Sequence, residues 1–79
     1  SEAARLNFFK DGHMGMWVES RRGTGDWEFL AIDTESPYLD ERPLLNPAQP
    51  ETREYRLRFW DNGQPNGEWS DVAKVTVSP

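Results

Sequence analysis

EYRLRFW (residues 54–60), DNGQPNGEWSD (61–71) and VAKVTV (72–77) follow one another near the carboxyl end, and their reading decides the fold. In the first run Tyr55, Leu57 and Phe59 alternate with Arg56, Arg58 and Trp60, setting an apolar face against a charged one. Period-two alternation predicts a half-buried β-strand. The middle run holds Asn-Gly twice and one proline, residues that supply positive φ or a fixed bend. The last run, rich in Val and Thr, alternates again with Ala73, Val75 and Val77 on one side. An antiparallel hairpin with a long tip is expected.

Working outward, Ser1 to Ala4 is polar or small and is expected to fray. Arg5 to Lys10 reads as a strand with Leu6 and Phe8 inward and Phe9 outward, followed by a turn from Asp11 to Gly15. Met16 to Arg22 is a second strand, with Met16, Val18 and Ser20 on one face and Trp17, Glu19 and Arg21 on the other. Arg22 to Asp26 turns on two glycines, and Trp27 to Asp33 forms a third strand that Thr34 to Pro37 breaks. Tyr38 to Glu41 gives a short fourth. Pro43, Pro47 and Pro50 make residues 42–52 a crossing loop, which Leu44 and Leu45 pin to the core. No segment has helical periodicity. Short strands at spacings of about 8 to 12 residues, parted by Gly and Pro turns, predict an all-β sandwich.

Seventy-nine residues make one domain at most. A core of this size contributes only about a few kcal/mol net. With no cysteine, neither a disulfide nor a thiolate metal site can form, and the compartment stays open. Four Trp, four Phe and two Tyr offer another route to stability, because each buries much area. The net charge of −5 argues against a nucleic-acid partner. Arg outnumbers Lys seven to two, and Arg stacks on aromatic faces where Lys does so poorly. No apolar run approaches the roughly 20 residues that insert across a membrane. The opening SEAARLNFFK lacks the apolar centre of a secretion signal, which says little about a longer parent chain.

Gly15-Met16-Trp17-Val18-Glu19-Ser20-Arg21 resembles the third strand of fibronectin type III domains, commonly Gly-Tyr-x-Val-Glu-Tyr-Arg. Trp27 after its glycine turn is similar to the start of that family's next strand. Leu45-Asn46-Pro47 with Thr52-Arg53-Glu54-Tyr55 looks like its Leu-x-Pro-Gly-Thr-x-Tyr, stretched by inserted residues. The resemblance covers most of the chain. It implies an immunoglobulin-like fibronectin type III β-sandwich of about six to seven antiparallel strands. It further implies that Tyr55 is a tyrosine corner bonded to upstream backbone, and that the setting is extracellular or at a cell surface. Phe8 stands where the family has a second-strand Trp. Too few residues precede Arg5 for a full first strand, so that strand is expected short or missing. An uncovered sheet edge would follow, able to take a strand from a neighbour or dimer partner.

Trp17, Trp60 and Trp69 with Arg21, Arg56 and Arg58 form the candidate binding constellation, since the alternation sends most of them to one outer face. Gly67-Glu68-Trp69-Ser70-Asp71 resembles half of the Trp-Ser-x-Trp-Ser motif of cytokine receptors, in which Trp and Arg planes interleave. Strict alternation back from Val75 and Ala73 would turn Trp69 inward, so a bulge or an irregular start to the last strand is needed to bring it out. Two readings stand side by side: a ladder that staples a thin sandwich, or an aromatic platform for a polysaccharide or protein partner. Asp61 to Glu68 is oxygen-rich but lacks the order of an EF-hand, and turn chemistry accounts for it. His13, the sole histidine, has Asp11 nearby but no nucleophile in a recognisable setting. RGTGD (residues 22–26) lacks the strand-to-helix context of a phosphate loop. The expectation is a non-catalytic module without metal or cofactor, acting as a spacer or contact domain beside neighbouring domains. Its structural residues are Tyr55, Leu57, Phe59, Val18, Phe8 and Val75. A carbohydrate-binding module is the alternative.

Overall fold

Alternating polarity carries further than EYRLRFW alone. In the computed structural model, which describes residues 3–79, the strand containing that run extends from Glu51 to Asp61. The described residues hold no helix and seven strands: β1 (Ala4–Leu6), β2 (Gly15–Arg22), β3 (Glu28–Asp33), β4 (Tyr38–Asp40), β5 (Glu51–Asp61), β6 (Gln64–Asn66) and β7 (Ala73–Val77). The larger sheet runs β3-β2-β5, and the far edge of β5 is shared. β7 pairs with its first half, Glu51 to Tyr55, and β6 with its end, Phe59 to Asp61. β1 and β4 make a second, two-stranded sheet, and every pairing is antiparallel.

The core lies between the sheets. Ala4 and Leu6 come from the smaller, Met16, Val18, Tyr55 and Val77 from the larger, and Leu44 from the crossing loop. Phe8, Leu57, Phe59 and Val75 pack against them, partly buried. The expected inward faces of β2, β5 and β7 are therefore the observed ones, as a period of two requires when one face is dry.

Several expectations need correction. The tip of the last hairpin is not one long loop, because its two Asn-Gly pairs act separately. Asn62 (φ 51°) and Gly63 (φ 84°) form a two-residue turn, the geometry that suits the twist of paired strands, so β5 continues into β6. At the second pair Gly67 (φ 82°) ends β6 and starts a detour that rejoins the sheet at Ala73. The strand expected over Arg5 to Lys10 is only Ala4 to Leu6, and the Phe8 amide donates to Ser36 Oγ (3.0 Å) instead of a ladder carbonyl. Ala4, expected to fray, is 1% exposed; Ser1 and Glu2 lie outside the described residues. Leu44 does pin the crossing loop, but Leu45 is 74% exposed. Gly15 belongs to β2 rather than the turn, and a Cβ there would sit 2.8 Å from the Asp33 carbonyl oxygen.

Candidate binding face and the buried ion network

The outer face of the larger sheet is built from cross-strand pairs. The β2–β5 register sets Glu19 opposite Arg56 and Arg21 opposite Glu54. Opposite charges in such positions attract across the ladder. Arg56 Nε and Nη2 both donate to Glu19 Oε1 (3.0 and 2.6 Å), and Arg21 Nη2 lies 2.9 Å from Glu54 Oε1. Burial would raise the Glu19 carboxyl, but hydrogen bonds from Arg56 and Trp17 outweigh it and hold the group below its usual range.

Two indoles reach this face from outside the strands. Trp27, just before β3, lies under Arg21 and Arg56, with 4.8 and 4.4 Å from each guanidinium carbon to the ring centroid. Trp69, on the detour after Gly67, lies under Arg56 and Arg58 at 4.2 and 5.1 Å. The order is therefore Arg21, Trp27, Arg56, Trp69, Arg58. Trp69 comes out because the chain before β7 is irregular: the Ser70 amide donates to the Leu57 carbonyl (2.7 Å), and Ser70 Oγ accepts the Leu57 amide (2.9 Å). Ser70 thereby replaces a ladder residue where β6 and β7 part. Arg58 Nε holds the same detour through the Gly67 carbonyl (3.1 Å).

Of the expected constellation, Trp69, Arg21, Arg56 and Arg58 come together. Trp17 and Trp60 stand apart from that stack. Trp17 donates to Glu19 Oε2 (3.1 Å) and tilts against Phe29, and Trp60 lies opposite Gly15 and Pro65. Trp27 takes their place.

A second cluster sits inside. Arg53 and Asp40 have fully buried side chains, with Arg53 Nη1 3.4 Å from Asp40 Oδ2. Asp40 also accepts Arg42 Nε (2.8 Å), Arg42 Nη2 (2.7 Å) and the Tyr55 hydroxyl (2.6 Å). Tyr55 is thus bonded to a carboxylate, not to upstream backbone as the tyrosine-corner expectation had it. Arg53 also donates to Glu51 Oε2 (2.6 Å) and the Arg42 carbonyl (2.8 Å), and Arg42 to Ser20 Oγ (3.0 Å). Burial would raise the Asp40 carboxyl, but the bonds from Arg42 and Tyr55 hold it down at about 2. Burial and the neighbouring Asp40 push the Tyr55 hydroxyl well up. Perturbed groups often mark active sites. Here the central pair has no exposure to a substrate, and the network ties the loop after β4 to β5. Nothing in Tyr38-Leu39-Asp40 signals it. Arg53 has a signal, since it shares the parity of Tyr55, Leu57 and Phe59.

His13 and Asp61 join the turn before β2 to the β5–β6 hairpin. His13 Nδ1 lies 2.5 Å from Asp61 Oδ2, and its ring stacks on Phe59 (centroids 3.8 Å apart, 11° between planes). Asp61 also accepts the Met14 amide (2.9 Å) and Asn66 Nδ2 (3.2 Å). The His13 bond leads in holding the Asp61 carboxyl below its ordinary range. A depressed folded pKa gives stability that is present above the ordinary carboxylate pKa and lost as pH falls through the folded value. Asp61→Asn is therefore expected to lower the melting temperature at neutral pH. The gap from the parent should close in strongly acid solution, as thermal melts over a pH series would read.

Comparison with family models, with curated proteins and with solved structures finds no match.

Proposed function

We propose that the chain is a fibronectin type III-like β-sandwich working without catalysis, as a spacer or protein-contact module within a larger protein. The finer fold reading draws support from the path of the chain. It changes sheet from β1 to β2, from β3 to β4 and from β4 to β5, which suits the crossing connections of immunoglobulin-like sandwiches. Among the described residues β1 is short and pairs with β4 alone, which suits a second strand of that fold. Fold alone does not fix function, so the site has to carry the functional reading.

One observation carries it. Each indole of the ladder lies under two guanidinium groups, and Arg56 is shared between Trp27 and Trp69. A sugar ring stacks on a bare aromatic face, and these are covered. The ladder instead ties two irregular segments, residues 23–27 and 67–72, onto the sheet. In a domain with so little core, that is a stabilising device.

Soluble cello-, chito- and malto-oligosaccharides are accordingly expected to leave the tryptophan fluorescence unchanged. Trp69→Ala should lower the melting temperature by about 4–8 °C, the equivalent of roughly 1 kcal/mol at this size. A saccharide-dependent quench that Trp69→Ala abolishes, with an unchanged melting temperature, would instead make the face a carbohydrate site.

A further inference from the structure

β3 is an edge of the larger sheet: it pairs with β2 on one side and, among the described residues, with no strand on the other. Its two faces are both unusually apolar for an edge. On the outer face Phe29 is 52% and Ile32 41% exposed, beside Trp17. Toward the interior side a groove of about 640 Å³ opens between β3 and the crossing loop, with Leu30 and the exposed Leu45 in its walls. Phe29 and Ile32, three apart, share that face because the β2–β3 register shifts at Leu30, between the pairs Val18–Ala31 and Glu19–Phe29. A strand that follows this bulge would put side chains against Phe29 and Ile32 and into the groove over Leu30.

Charge selects the occupant. The groove has two arginines, but both are turned to internal partners. Arg42 is bound to Asp40, Ser20 and Glu28, and Arg22 donates to the Pro43 carbonyl and faces Glu51. The carboxylates are freer. Asp26 is exposed with no hydrogen-bond or ion-pair partner among the described residues, and Glu28 is 62% exposed with one oxygen engaged. Asp33 closes the other end of β3. An antiparallel second copy would bring Glu28 against Asp33 of its partner, like charge on like. A basic strand would meet opposite charge at both ends.

We propose that the free edge of β3, with the groove beneath it, accepts an extended segment of another polypeptide in which apolar and basic residues alternate. The proposal rests on the contact-module reading and names the partner's chemistry. Acidic residues at an edge also serve to repel unwanted pairing, and the experiment has to separate that role from binding.

Fluorescence anisotropy of a labelled octapeptide alternating Lys and Val, with its Glu–Val counterpart as control, makes the test. The basic peptide is expected to bind at least roughly tenfold more tightly than the acidic one, and Asp26→Lys to weaken it by a similar factor with an unchanged melting temperature. Leu45→Ser, also on an exposed side chain, should weaken binding as well. Bound peptide should slow amide exchange in residues 28–33. Equal binding of both peptides, no binding at millimolar concentration, or protection at residues 5–7 and 73–75 instead would each overturn the proposal. None of these touches the contact-module reading, which stands or falls on the saccharide titration.

Discussion

Asp40→Ala is expected to leave the domain unfolded or barely folded at neutral pH. The substitution takes the central carboxylate from two guanidinium groups, Arg53 with a side chain wholly out of solvent and Arg42 with most of its own out of reach of water, and leaves them only Glu51 and the exposed Glu28. Removing one partner of a buried ion pair costs about 3–5 kcal/mol, because the remaining charge loses its compensation without regaining water. A core of this size supplies only about that much net. The Tyr55 hydroxyl loses its acceptor too. Circular dichroism and urea titration give the readout, and a midpoint equal to the parent's would show that the network contributes nothing to stability. Tyr55→Phe is the graded version. It keeps the ring in the core and gives up one charge-assisted bond, at about 1.5–3 kcal/mol.

The same carboxylate sets an acid limit. Its folded pKa of about 2 lies below the ordinary value, so its contribution is complete above the ordinary carboxylate range and drains away as pH falls toward 2. The loss is on the order of 2 kcal/mol. Asp40→Asn, if it folds, should show a flatter acid limb than the parent.

Arg53 and Asp40 also mark where the sequence stops being informative. The parity that put Tyr55, Leu57 and Phe59 inward, carried two residues back, puts Arg53 inward as well, and β5 begins early enough for that to hold. An arginine at such a position is ordinarily solvated, and Pro43, Pro47 and Pro50 point to a crossing loop as far as Thr52. Its carboxylate partner lies on a different sheet, and no local pattern links the two. The outer ladder was legible on its strand members, since Arg21, Arg56 and Arg58 follow from alternation. Trp27 and Trp69 do not, because turns and detours have no parity. Trp17 and Trp60 have the right parity, but Trp17, though opposite Arg58, turns its indole to Glu19 and Phe29, and Trp60 lies opposite Gly15 and Pro65. Two-residue turns are specified by Asn-Gly itself, so the first such pair already encoded the β5–β6 hairpin.

Arg56→Ala is expected to produce the second large effect, and on the outer face. Arg56 is the one guanidinium shared by both indoles, at 4.4 and 4.2 Å, and two of its nitrogens converge on Glu19 Oε1. Each partly exposed cation–π contact contributes about 0.5–1 kcal/mol. The ion pair adds about 1 kcal/mol at most once solvent screening is allowed for, given a guanidinium 28% exposed. The sum is about 1–3 kcal/mol, a fall in melting temperature of roughly 4–24 °C. Both indoles should become more solvated, with a red shift in emission. Arg56→Lys separates plane from charge: it keeps the cation but loses the flat group that spans two rings, so it should recover less than half the deficit. If the ladder were only a solvated decoration, Ala and Lys would both melt with the parent. If it were a sugar platform held shut by arginine, Arg56→Ala would gain saccharide binding as it lost stability. The stapling role requires a loss of stability from Ala, a partial return with Lys, and no response to saccharide in either variant.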